Sequence, residues 1–152
     1  MTGTPSHRPR ADQQFCTFFL DGMYFGVEVE RVQEVLRYQE LTRVPLAHDV
    51  VEGLINLRGQ IVTALDLRAR LRLSPRPSGT KPMNVVIRTS EGAVSLLVDT
   101  IGDVLEVASD LFESTPETVR GVARDLVVGV FRLDGRLLLQ LDADRAVALP
   151  GM

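Results

Sequence analysis

Few side chains in this 152-residue chain are equipped for covalent or metal chemistry. There are two histidines, His7 and His48, and one cysteine, Cys16. A metal centre needs several histidine, cysteine or carboxylate ligands brought together, and an activated nucleophile needs a base beside it. His7 lies in a polar N-terminal stretch and His48 stands alone in a loop, so the expectation is no metal and no other cofactor. A single cysteine allows no internal disulfide, and Cys16, within Phe15-Cys-Thr-Phe-Phe-Leu20, reads as a small strand residue. Gly53 and Gly59 do not have the spacing of a phosphate-cradling loop, and no Gly-Lys-Ser/Thr follows them. Asp66 and Asp142 are the carboxylates that invite an acid–base reading. Each precedes an apolar helical segment, where an aspartate caps the free amide groups. The expectation is a protein without catalysis.

Asp66 and Asp142 close two stretches written to the same plan. Gly53-Leu-Ile-Asn-Leu-Arg-Gly-Gln-Ile-Val-Thr-Ala-Leu-Asp66 aligns without a gap on Gly129-Val-Phe-Arg-Leu-Asp-Gly-Arg-Leu-Leu-Leu-Gln-Leu-Asp142, 76 positions on. A second echo, at an offset of 69, places Val32-Gln-Glu-Val-Leu36 on Ile101-Gly-Asp-Val-Leu105. Two echoes in one order indicate a duplicated unit of about 70 residues.

The elements follow from turn chemistry. Asp21-Gly22 lies between β-rich runs, and an Asp-Gly pair there is a strong hairpin signal. Further hairpins are expected around Arg58-Gly59, Glu91-Gly92 and Asp134-Gly135. Gly22, Gly59 and Gly135 are the turn glycines, and Asp134-Gly135 suits a type I′ turn because both residue types tolerate positive φ. Asp49 to Glu52 reads as a turn of helix. About ten short strands with turn signals at this spacing favour barrels, and the duplication suggests one five-stranded barrel per copy, although strands can cross between lobes. Residues 1–12 read as a flexible tail and 13–150 as the folded domain. The stretch 74–82, rich in turn formers and without apolar residues, is the expected linker.

Bulk properties narrow the function. With 45% apolar and 24% charged residues, the composition is that of a soluble globular protein. The net charge is -3 and the cations are scattered, which argues against nucleic acid as a partner. No apolar run has the roughly 18 residues of a membrane helix, and no secretory signal is visible, so a cytoplasmic location is expected.

The copies are most informative where they disagree. Arginine is a poor turn former, yet Arg58 stands where the second copy has Asp134. It reads either as a solvated surface residue or as a five-donor anchor for a protein partner on a stiff loop tip. Val32 and Val35 read as core residues. Glu34 stands opposite Asp103 in the echo, either as a solvent-side acid or as a carboxylate that meets a partner's basic group.

With those residues in view, the chain resembles the CheW family of bacterial chemosensory adaptors over about Gln14 to Leu149. The most specific element is Gly53-Leu-Ile-Asn-Leu-Arg-Gly-Gln-Ile-Val…Leu-Asp-Leu-Arg68, supported by Phe25-Gly-Val-Glu-Val…Val32-Gln-Glu-Val35 and Leu126-Val-Val-Gly-Val…Asp-Gly-Arg-Leu…Leu-Asp142. One departure is Thr63, where the family often has proline. The resemblance implies a mainly β fold of two small five-stranded SH3-like barrels around a hydrophobic groove. It implies a non-catalytic scaffold that couples methyl-accepting chemoreceptor hairpin tips to the regulatory domain of a CheA-type histidine kinase, and that meets the membrane only through the receptors. It also implies partner contacts at Val32, Glu34, Val35, Asn56, Leu57 and Arg58. The alternative is a β-barrel that binds a small apolar molecule between its lobes, although six Phe, two Tyr and no Trp offer little aromatic lining.

Overall fold

The structure is a computed structural model that describes residues 12–149. Residues 1–11 of the expected tail 1–12, and Pro150 at the expected domain end, lie outside the described residues. Among the described residues, eleven strands form two sheets. The first sheet, here lobe A, contains β1 (Gln13–Leu20), β2 (Met23–Glu28), β8 (Thr100–Val107), the two-residue β9 (Phe112–Glu113), β10 (Val127–Leu133) and β11 (Arg136–Leu141), in the order β8-β1-β2-β11-β10-β9. Lobe B contains β3 (Val32–Leu36), β4 (Val51–Leu57), β5 (Gln60–Asp66), β6 (Met83–Thr89) and β7 (Gly92–Val98), in the order β3-β6-β7-β5-β4. Short helices follow β5 (α1, Leu67–Arg70), precede β10 (α2, Gly121–Leu126) and follow β11 (α3, Ala143–Val147). β4 begins at Val51, so the helical turn expected at 49–52 is absent.

The expectation of one five-stranded barrel per copy is corrected in two ways. Lobe A has six strands because β9 adds to β10. The copies also exchange strands. Lobe A combines β1 and β2 of the first copy with strands of the second, and lobe B combines β6 and β7 of the second copy with β3, β4 and β5 of the first. Connection length explains the exchange. A strand returning antiparallel beside its predecessor needs at least a two-residue hairpin. Only Asp99 separates β7 from β8, too few residues for a hairpin, and the three residues between β2 and β3 are wound into the 3-10 turn Val29–Arg31 rather than a hairpin turn, so each chain segment passes to the other sheet. The parallel pairs β2–β11 and β5–β7 are then pairs between copies. The stretch 74–82 joins α1 to β6 inside lobe B; it does not connect the lobes.

The two echoes locate equivalent strands. β3 matches β8, each the edge strand of its sheet, and the β4–β5 hairpin matches β10–β11. The backbone repeats in detail: Asp66 N–H donates to Val50 O at 2.8 Å and Asp142 N–H donates to Leu126 O at 2.8 Å. Both hairpins carry a bulge before their glycine, Gly53 or Gly129. A third segment crosses close to each glycine. A Cβ on Gly53 would sit 2.7 Å from Thr42 O, and one on Gly129 would sit 2.8 Å from Glu113 O and 2.3 Å from the Phe112 ring.

Three apolar clusters hold the fold. One fills lobe B (Ile55, Leu57, Val62, Val86, Leu97) and one fills lobe A (Phe15, Tyr24, Phe131, Leu138). The largest draws on both sheets, with Phe18, Phe25 and Leu139 against Leu65, Ile87 and Leu96, and so joins the lobes. Burial of apolar area is the dominant stabilising term, which makes the lobe junction part of the core.

Candidate interaction surface

Two ion-pair clamps fix the junction, at equivalent positions and with reversed polarity. Arg68 in α1 and Asp144 in α3 are 76 positions apart. Arg68 donates to Asp99 in the β7–β8 connection from Nε (2.9 Å) and Nη2 (2.7 Å), and to Ser74 O from Nη1 (2.8 Å). Asp99 also accepts from the N–H of Asp21 at the β1–β2 tip, at 2.8 Å. Across the molecule Arg31, in the β2–β3 connection, donates to Asp144 (2.8 Å) and to Arg88 O (3.0 and 2.9 Å). The first clamp is the more buried, with side-chain exposures of 8% and 22% for Arg68 and Asp99 against 30% and 52% for Arg31 and Asp144. Hydrogen bonds from Arg68 hold the Asp99 carboxyl below its ordinary range, and Asp99 in turn raises the Arg68 guanidinium.

Capping accounts for the carboxylates that invited a catalytic reading. Asp66 accepts from Arg68 N–H at 3.1 Å and Asp142 accepts from Arg145 N–H at 3.1 Å, each at a helix start. The His48 ring accepts from Val50 N–H at 3.1 Å and braces its own loop. Burial raises the Cys16 thiol. Among the described residues there is no group of three or more His, Cys, Asp or Glu able to hold a metal, and no helix long and apolar enough to cross a membrane.

The hairpin tips differ as their sequences do, and the geometry corrects one expectation. Arg58 (φ +52) and Gly59 (φ +89) form the left-handed pair of a type I′ turn, as do Asp21 (φ +52) and Gly22 (φ +79). At the other tip Gly135 is left-handed (φ +83) but Asp134 is not among the residues with positive φ, so the type I′ turn expected there is absent. The residue worse suited to the strained position therefore occupies it, at a cost of about 1–2 kcal/mol. Asn56 offsets part of this by accepting from Gly59 N–H at 2.9 Å through its side chain.

Around that tip the structure brings together most of the residues singled out in the sequence. Arg58 donates to Glu34 on β3, with the arginine side chain 71% and the glutamate 19% exposed. Gln33 donates to Gln60 at 3.4 Å beside it. Val35 is exposed, and Ile61 next to the tip is more so. Val32 is half-buried against the junction core. Leu57 is buried in the lobe B core, and its side chain serves packing. Two exposed residues were missed by the sequence reading, Ile61 and Val104. Val104 had a signal, since it aligns on Val35 in the shorter echo. Both valines lie on sheet-edge strands, and each presents its side chain to solvent in its own lobe. A surface of this kind, with a fixed cation, a paired carboxylate and flanking aliphatics, has the ingredients of a protein contact.

Fold and surface together define a mainly β protein of two sheets joined by a shared core. A family model described as CheW-like domain matches residues 14–150. The chain is 27% identical over 136 residues to the chemotaxis protein CheW of Klebsiella aerogenes, covering 90% of this chain and 82% of that one. It is 30% identical over 138 residues to the chemotaxis protein CheW of Bacillus subtilis, covering 89% and 86%. The crystal structure of the scaffolding protein TtCheW from Thermoanaerobacter tengcongensis superposes with a TM-score of 0.83 at 22% identity, covering 93% of this chain and 96% of that one. The chain belongs to the CheW-like domain family.

Proposed function

We propose that this protein is a cytoplasmic, non-catalytic coupler that joins chemoreceptor hairpin tips to the regulatory domain of a CheA-type histidine kinase within a receptor array. The observation that carries this reading is Arg58, held left-handed at an exposed turn and paired with Glu34 across the mouth of lobe B. Strain retained in the backbone at an exposed, specific side chain is a mark of function. Arg58 and Glu34 provide the polar contact, and Val35, with Val104 on the equivalent edge strand, provides apolar contact for a helical receptor segment in the helix-in-groove manner. Val32, Asn56 and Leu57 support this surface from beneath by packing and by the turn hydrogen bond.

The test is a pull-down with the purified kinase regulatory domain and a receptor cytoplasmic fragment, using wild type and Arg58→Ala. The variant is expected to keep its fold and to lose about 1–3 kcal/mol of binding to at least one partner. Wild-type affinity for both partners in the variant overturns the role of Arg58, and binding of neither partner by the wild type overturns the coupling function.

A further inference from the structure

A second left-handed arginine points to a surface that the coupling function does not use. α1 ends at Arg70, and Leu71 and Arg72 follow, with Arg72 at φ +59. Leu73 N–H closes back onto Arg68 O at 2.8 Å. This is a helix C-terminus with a left-handed residue, a position normally filled by glycine. In the second copy the equivalent residue is Ala148, with φ −81, so the backbone there is unstrained.

Arg72 stands at the rim of a groove of about 710 Å³ in lobe A. Much of its lining is apolar, with Met23 and Leu71 beside Leu137 and Leu139 of β11, and Arg120 also lines it. Arg72 has no acidic partner among the described residues, and Arg120 donates only to the Glu117 carbonyl, at 3.3 Å. Burial lowers the neighbouring Arg70 guanidinium, and the charge of Arg72 adds to that effect.

The duplication supplies an internal control. The equivalent groove of lobe B, about 470 Å³, is lined by Thr63, Val147, Ala148 and Leu149, which match Leu139, Leu71, Arg72 and Leu73 at the 76-residue offset. Its lining carries Glu91 and Asp144, the latter paired with Arg31, and no arginine. The same architecture thus presents unpaired arginine in one lobe only, and there Arg72 sits on left-handed backbone.

We propose that the arginine-rimmed groove of lobe A is a second docking surface, and that its occupant is an amphipathic, acidic helix of a partner protein. Leucine-type side chains would fill the floor while carboxylates meet Arg72 and Arg120. Arginine suits this role because its fork binds carboxylate in two-point fashion. The inference lies beyond the coupling function, which uses Arg58 and the sheet edges.

The probe is a fluorescein-labelled synthetic helix with leucine at i, i+3, i+4 and i+7 and glutamate on the other face, read by anisotropy against the full chain. Its twin carries lysine in place of glutamate. Saturable binding of the acidic peptide is expected, weakened tenfold or more in R72E/R120E and unchanged in Arg58→Ala, with the lysine twin weaker than the acidic peptide on wild type. Amide NMR shifts on binding should centre on residues 71–73 and 118–123. Because both arginines are exposed, R72E/R120E should melt as the wild type does. Absence of saturable binding, equal affinity for the two peptides, or undiminished binding by a folded R72E/R120E overturns the proposal.

Discussion

The clamp at Arg68 and the clamp at Asp144 occupy the same place in the two copies, yet they are built differently. In one the helix supplies the arginine and the strand connection the carboxylate; in the other these roles are reversed. The Arg68 clamp also ties down the tip of the β1–β2 hairpin, through Asp21 N–H to Asp99. A swapped arrangement needs a fastening at each crossover, and either polarity satisfies it. Burial is what separates them. Removing one partner of a buried pair leaves an uncompensated charge, whereas an exposed pair contributes little. The lobe junction is therefore anchored on the Arg68 side.

Four experiments probe the two copies, and the first should give the largest effect. Arg68→Ala is expected to cost about 3 kcal/mol of stability, while Asp144→Ala leaves the denaturant midpoint close to that of the wild type. Equal losses in the two would show that the clamps are equivalent. Next, Gly53→Ala and Gly129→Ala each force a Cβ to within 3 Å of a backbone oxygen. Both should lose about 1–3 kcal/mol by overpacking, measured as a fall in Tm. If only one does, the matching close approaches are not equally rigid.

The Asp99 clamp should also show in acid. Because the folded carboxyl titrates below its unfolded value near pH 4, its contribution is fully present above about pH 4 and is lost as pH falls through the folded value. Acid unfolding followed by far-UV circular dichroism should flatten in Asp99→Asn over that range. An unchanged slope would remove Asp99 from the linkage.

The smallest effect concerns the hairpin tips. Arg58→Gly removes left-handed strain and an exposed ion pair together, so its stability should change by no more than about 1 kcal/mol in either direction. Its partner binding should nevertheless fall as in Arg58→Ala. A fall in stability well beyond that range would make Arg58 a structural residue and end the contrast with Asp134.

Much of this architecture was legible in the chain. The hairpins and the two aspartate caps follow from residues within a few positions of each other, because turn and cap geometry is local, and the duplicated unit follows from aligning the chain on itself. So was the oddity of Arg58, seen only by setting it beside Asp134. The strand exchange was not legible, since the hydrophobic alternation of a strand is the same whichever sheet it joins. Nor was the conformation of Asp134-Gly135, a pair able to adopt more than one turn. Arg68 stood in the signature stretch without a visible partner because Asp21 and Asp99 are 47 and 31 positions away.

By itself, then, the amino-acid order determined the family, the repeat, the turns and the residues worth suspecting at the lobe B tip. Tertiary structure alone decided which copy lends strands to which lobe, which clamp is buried, and that Leu57 faces the core while Ile61 and Val104 face solvent. The division has one physical cause. Local backbone preferences are written in neighbouring residues, but pairing, burial and electrostatic partnership depend on segments that meet only after the chain has closed its long loops.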